Sequence, residues 1–264
     1  MKALSTFSAD SRRDLLGVFL DIDDTLTTDG RLTAEAYRAL EALAAGGLLT
    51  VPITGRPAGW CDHIARMWPV EGVVGENGAF YFVYDRAGRK MQRRFLASCG
   101  ERRDTRERLE RLRKAILAQV PGSAVASDQH YRETDLAIDF CEDVERLPQS
   151  AVARIVALFE SAGATAKISS IHVNGWFGTY DKLSMTKILM RERFRVDLDA
   201  DKDRFVFVGD SPNDAPMFGY FPHSVGVANI RDFDGLPSAA PAYVCNERCG
   251  KGFVEVARTI LAVR

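Results

Sequence analysis

The chain has 264 residues, more than one domain usually needs, and 46% of them are hydrophobic, which is ample for a buried core. A formal net charge of −1 argues against recruitment to nucleic acid or an anionic membrane by global charge. No apolar run approaches the roughly 18 residues of a membrane-spanning helix, and residues 1–14 lack a secretory apolar region, so a cytoplasmic protein is expected. The cysteines Cys61, Cys99, Cys141, Cys245 and Cys249 are odd in number and dispersed, which points to reduced thiols rather than a disulfide framework. Cys245 and Cys249 have no second pair to complete a zinc site, and His63, His130, His172 and His223 show no ligand spacing.

In chain order, residues 15–20 read as a buried strand, 32–45 as a helix ended by Gly46-Gly47, 48–53 as a strand and 58–68 as a helix, with a further strand at 72–74. Pro52 removes a ladder donor, so the second strand belongs at an edge or a bulge. Residues 182–264 resume the alternation, with strands at 205–208, 224–227 and 242–244 and a closing helix at 252–263. This α/β alternation predicts a parallel sheet covered on both faces. Between about 80 and 180 the pattern changes. Strands at 79–84, 91–95, 135–140, 164–169 and 171–174 surround two helices, one carrying Leu109, Leu112, Ile116 and Val120 and the other Val152, Ile155, Val156 and Phe159 at helical spacing. A separate α+β lid is expected there, dividing the chain into a first core part (1–83), the lid (84–180) and a second core part (181–264).

Asp21-Ile22-Asp23-Asp24-Thr25 follows the first strand directly, and side chains two apart on extended backbone share a face, so Asp21 and Asp23 can address one ligand. Alone, the cluster equally fits a turn or a helix cap, because Asp tolerates left-handed backbone and accepts from nearby amides. Three further segments supply what phosphoryl chemistry needs. Thr54-Gly55-Arg56 follows the second strand with a hydroxyl and an unhindered backbone, Lys182 opens an amphipathic segment, and Gly209-Asp210-Ser211-Pro212-Asn213-Asp214 follows the strand at 205–208. An aspartate nucleophile, ionised at its reference pKa of roughly 3.9, needs no activating base. Its difficulty is repulsion: unit charges about 4 Å apart interact by about 4 kcal/mol at an effective dielectric near 20. Several carboxylates and a phosphate therefore imply a divalent cation, and oxygen ligands with retained waters suit Mg²⁺. Lys182 would balance the remaining charge, Thr54 would donate to a phosphoryl oxygen, and Asp23 would protonate the leaving oxygen and then deprotonate water.

These four segments, in this order, resemble the haloacid dehalogenase (HAD) superfamily of phosphotransferases. The resemblance implies a Rossmann-like core, an aspartyl-phosphate on Asp21, Asp23 as acid/base, and Thr54 and Lys182 as phosphoryl clamps. Mg²⁺ would be held by Asp21, the backbone carbonyl of Asp23, and Asp210, supported by Asn213 and Asp214. Glu76-Asn77-Gly78-Ala79 is similar to the step that precedes an inserted C2 cap of the IIB subfamily, and Gly55, Arg56 and Asn77 are expected to join Thr54 and Lys182 in binding substrate. The implied activity is a phosphatase acting on a small phosphorylated metabolite such as a sugar phosphate, with a phosphomannomutase-type mutase as the alternative. No nucleic acid or membrane partner is expected.

The basic stretch 86–114 supports a third reading, a polyanion-binding face. Interleaved acids favour a solvated helix instead, with Glu107 and Arg111, and Glu110 and Lys114, pairing one turn apart.

Overall fold

The computed structural model describes residues 1–169, 171–233 and 239–264. A short strand β1 (Lys2–Ala3) and helix α1 (Ala9–Arg13) precede β2 (Gly17–Leu20), α2 (Ala34–Ala45), β3 (Leu49–Pro52), α3 (Ala58–Met67), β4 (Val73–Gly75), β5 (Phe80–Asp85) and β6 (Lys90–Phe95). A long helix, α4 (Cys99–Gln119), opens a second unit of β7 (Ala124–Val125), β8 (Asp135–Asp139), α5 (Gln149–Ser161), β9 (Thr165–Ile168) and β10 (His172–Trp176). The remainder holds α6 (Lys182–Leu189), α7 (Leu198–Asp201), β11 (Phe205–Gly209), α8 (Ala215–Tyr220), β12 (His223–Gly226), β13 (Tyr243–Val244) and α9 (Cys249–Leu261).

Six strands form one parallel sheet in the order β1-β13-β12-β11-β2-β3. Side-chain alternation builds a core on each face. Val18 and Leu20 of β2 join Val206 and Val208 of β11 under α2 and α9, whereas Phe19, Phe205 and Phe207 point the other way and pack on Met185 and Leu189 of α6 and Phe221 after α8. The strands are apolar throughout because both faces are covered, as parallel sheets require. The expected α/β core is thus present, and Pro52 sits at the end of the edge strand β3, where its missing donor is tolerated.

The strand expected at 72–74 is not another member of this sheet. As β4 it pairs antiparallel with β5, which pairs antiparallel with β6, and a parallel bridge from Ile53 to Val74 ties the small sheet to the large one. Consequently β5, most of which the expected boundary left in the first core part, and β6, which it placed in the lid, form one small sheet against the core. Phe80 and Phe82 pack on Cys61, Ile64 and Ala65 of α3, while Tyr81 and Val83 face the sheet core. A strand apolar on both faces is stabilised by burial on both, and the boundary expected at 84 falls inside it.

The unit from α4 to β10 has its own antiparallel sheet, ordered β7-β8-β10-β9. Leu109, Leu112 and Ile116 of α4 and Val152, Ile155 and Phe159 of α5 cover it, as their spacing predicted. Of the basic stretch, Arg93 pairs with Asp62, Arg94 with Glu192, Arg106 with Glu133 and Arg113 with Glu110, and Arg108 stacks on Phe177. Lys114 lies 3.7 Å from Glu110. Each of these six cations thus has an acidic or aromatic partner. Among the described residues no disulfide joins the five cysteines, and no helix is long and apolar enough to cross a membrane.

Candidate active site

Parallel pairing aligns strand ends. Leu20 lies beside Pro52 and Val208, and Gly209 beside Gly226, so the loops after β2, β3, β11 and β12 emerge along one edge of the sheet. Ligands of open parallel sheets bind at that edge. After β2 the chain turns at Asp24, whose φ of 56° lies in the left-handed region. Aspartate is among the few residues other than glycine that tolerate it. The turn and the functional reading of the acidic cluster therefore coexist.

Lys182 Nζ lies 3.2 Å from Asp21 Oδ1 and 2.9 Å from Asp214 Oδ1. Asp21, Asp210 and Asp214 are all buried and offer carboxylate oxygens within 4.8 Å of one another. Burial pushes the Asp21 carboxyl up to about 7, with Lys182 pulling it down and Asp214 and Asp23 pushing further. Burial, then Asp214 and Asp21, also hold Asp210 well above the ordinary carboxylate range. Burial opposes the charge of Lys182 too, but Asp21 and Asp214 outweigh it and raise its pKa. A cation at the first residue of α6 gains nothing from the helix dipole, so these carboxylates are what stabilise it there. The cluster is left two charges short of balance, a deficit that suits one divalent ion.

Neighbouring groups orient the acids. Thr25 Oγ1 donates to Asp210 Oδ1 at 2.9 Å, and Asn229 Nδ2 donates to Asp24 O at 3.1 Å and to Asp210 Oδ2 at 3.4 Å. Asp214 Oδ2 accepts from the Asp210 N–H at 3.2 Å. That bond depends on Gly209, because a Cβ there would lie 2.5 Å from Asp214 Oδ2.

Asp21, Asp23, Gly55, Arg56, Asn77, Asp210 and Asn213 line one cavity at this edge. Asn213 Oδ1 accepts from Ser211 Oγ at 2.9 Å, so it sits beside the acidic cluster rather than in it. Thr54 is fully buried, and its Oγ1 accepts from the Arg56 N–H at 3.0 Å. Asn77, at φ 55°, lays its amide over Gly55, and among the described residues no acceptor reaches its buried Nδ2. Arg56 grips Asp23 with both Nε and Nη2, at 2.8–3.0 Å.

The far wall of the cavity comes from the α4–β10 unit, through Arg132, Lys167, Ser169, Ile171, His172 and Asn174. Sequence reasoning did not single these out, since they sit in no motif and only the tertiary docking brings them to the site. Docking is polar. Arg132 Nη1 donates to Gly55 O at 3.0 Å, and Glu76 accepts from the N–H groups of Ala58, Glu133 and Thr134 at 2.7–3.0 Å. Burial and the nearby Asp135 push Glu76 from the usual 4.5 up to about 7, against Arg132 and the donors. The folded state therefore holds a proton that the unfolded state releases, so this contribution to stability is complete below about 4.5 and disappears as pH rises through about 7. Thermal melts across that window should fall less steeply with pH for Glu76→Gln than for the wild type; parallel profiles would refute the assignment.

Residues 18–99 match the family model of haloacid dehalogenase-like hydrolases. A crystallised Thermoplasma acidophilum protein is 17% identical, with 95% of this chain and 99% of that one aligned and a TM-score of 0.70. The Synechocystis sucrose-phosphatase, solved with sucrose and phosphate, is 14% identical over 93% of this chain and 98% of that one, with a TM-score of 0.62. A HAD subclass IIB sugar phosphatase is 15% identical over 94% and 99%, also at 0.62. At such identities the likeness is one of fold. No curated protein matches the chain. The segment that carries Asp21, Asp23, Thr54 and Asn77 thus matches the haloacid dehalogenase-like hydrolases, and the fold of the solved structures is shared over more than nine-tenths of the chain.

Proposed function

We propose that the protein is a Mg²⁺-dependent phosphatase of small phosphorylated metabolites, sugar phosphates foremost, working through an aspartyl-phosphate. The observation that carries this reading is the convergence of Asp21, Lys182, Asp210 and Asp214, from two loops and the start of α6, into one buried cluster. The sugar phosphatases among the structural relatives agree with it.

Asp21 and Asp210, with the backbone carbonyl of Asp23, would hold the metal, while Asp214 and Asn213 would support them. Mg²⁺, when bound, supplies the positive charge that lets a phosphate dianion approach these carboxylates. Asp21 attacks phosphorus, and the P–O bond to the leaving group breaks as Asp23 donates a proton to that oxygen. Asp23 then takes a proton from water, which attacks the aspartyl-phosphate and releases inorganic phosphate. Lys182 and Thr54 hold the phosphoryl oxygens, together with the unpartnered Asn77 Nδ2. The wall carrying Lys167, Ser169 and His172 meets the leaving group and selects it. Its polar lining suits a hydroxylated group such as a sugar.

Phosphate release from a panel of phosphorylated metabolites should require Mg²⁺ and fall at least about 100-fold when the ion is chelated, as expected when several kcal/mol of charge stabilisation is lost. Turnover unchanged by chelation would refute the metal assignment. Absence of phosphate release with every ester, or release only with a bisphosphate activator present, would refute the phosphatase reading.

A further inference from the structure

Arg56 is a cation surrounded by acids. Its side chain is 8% exposed and its guanidinium stacks on Trp60, 4.5 Å from the ring centre. Besides its two-pronged grip on Asp23, Nη1 lies 3.7 Å from Asp128 Oδ2 and 3.6 Å from Glu142 Oε1. Asp23 and Arg56 belong to the core, whereas Asp128 and Glu142 flank β8 in the lid. Behind Glu142, His172 Nε2 lies 2.8 Å from Glu142 Oε2. With three carboxylates around it, Arg56 is not a free anchor for an anionic substrate. Among the described residues it links two lid carboxylates to the side chain assigned to proton transfer.

We propose that Glu142 is a positioning residue that couples lid closure to proton transfer: seated on the core, it orients Arg56, and Arg56 aims the Asp23 carboxyl group, which carries the proton, at the leaving oxygen. This inference rests on the phosphatase reading and on Asp23 as its acid/base. Once the lid lifts, Arg56 loses Asp128 and Glu142 together and keeps only its hold on Asp23 among these three acids. Arginine suits the post because its planar fork transmits orientation, which a lysine ammonium does not. Proton donation is therefore set correctly only when the lid is down and a leaving group is enclosed.

The leaving group discriminates this role from simple lid stability. An alkyl phosphate such as glycerol phosphate or a sugar phosphate expels a strongly basic oxygen and needs the proton, whereas p-nitrophenyl phosphate expels a weakly basic one and needs it far less. Glu142→Gln should lower the ratio of kcat on the alkyl ester to kcat on the aryl ester by about 10-fold or more, a part of the 10²–10⁴ that general acid catalysis supplies. Glu142→Asp, which keeps the charge on a shorter arm, should recover part of that ratio. An equal loss on both esters, or a rise in KM alone, would overturn the coupling, as would an unchanged ratio. If Glu142→Gln does not fold, the Glu142→Asp ratio decides, and an unchanged value there overturns the proposal. Wild-type enzyme that hydrolyses neither ester would instead defeat the phosphatase reading, and the inference with it, and this outcome is visible before any variant is made.

Discussion

Asp21→Asn should abolish turnover, by on the order of 10⁴-fold or more, while leaving a folded protein. The substitution keeps the shape of the side chain and removes the oxygen proposed to attack phosphorus, and the loss of a nucleophile is not compensated by neighbouring groups. Stability should survive. Burial, reinforced by Asp214 and Asp23, pushes the Asp21 carboxyl up to about 7, so a neutral amide relieves the cost of a buried charge as well as removing a partner of Lys182. Lys182 keeps Asp214 at 2.9 Å. Rapid-quench detection of labelled protein with the wild type, and its absence with Asp21→Asn, would complete the test. Turnover within 10-fold of wild type would refute the nucleophile assignment.

The second large effect is expected on stability, from Arg132→Met. The Arg132 side chain is 1% exposed and is held by Asp128 at 3.2 Å and Asp135 at 3.0 Å, with Asp135 also accepting from Asn174. Replacing the guanidinium by an apolar group of similar length leaves Asp135 buried without a cation and Asp128 with only Arg56, 3.7 Å away, and removes the donor to Gly55 O. Breaking a buried ion pair from one side costs roughly 3–5 kcal/mol. For a chain of this size that corresponds to a fall of about 6–20 °C in Tm. Arg132→Lys should restore little, since one ammonium cannot make the forked contacts. Adding Asp128→Asn and Asp135→Asn to Arg132→Met should recover much of the loss, because the penalty comes from unpaired buried charge. Calorimetry of the three variants checks this, and a Tm for Arg132→Met within 2–3 °C of wild type would contradict it, being about 1 kcal/mol or less.

Residue order alone was enough for the sheet and for the loops that carry the acids. Apolar runs at 17–20 and 205–209 are parallel-sheet strands because both faces must be buried, and that demand is local and legible. Asp21, Lys182, Asp210 and Asp214 could be nominated because each follows a strand or opens a helix, and such positions share one edge in a parallel sheet. The strand at 90–95, placed with the lid, instead pairs with the strand at 80–85, because antiparallel alternation does not say which surface a hairpin will pack against, and Phe80 and Phe82 pack on α3.

The lid side of the cavity had no such signature. Asp128, Arg132, Glu142 and His172 look like ordinary scattered polar residues, and their meaning lies in partners 3 to 86 positions away in the chain. Arg56 shows the limit best. From its place after Thr54-Gly55 it reads as a substrate anchor, yet folding surrounds it with Asp23, Asp128 and Glu142 and turns it into a link between lid and core. Burial and charge balance are properties of the assembled surfaces, so only the docked structure could reveal them, whereas strand ends and their loops are written in short-range pattern.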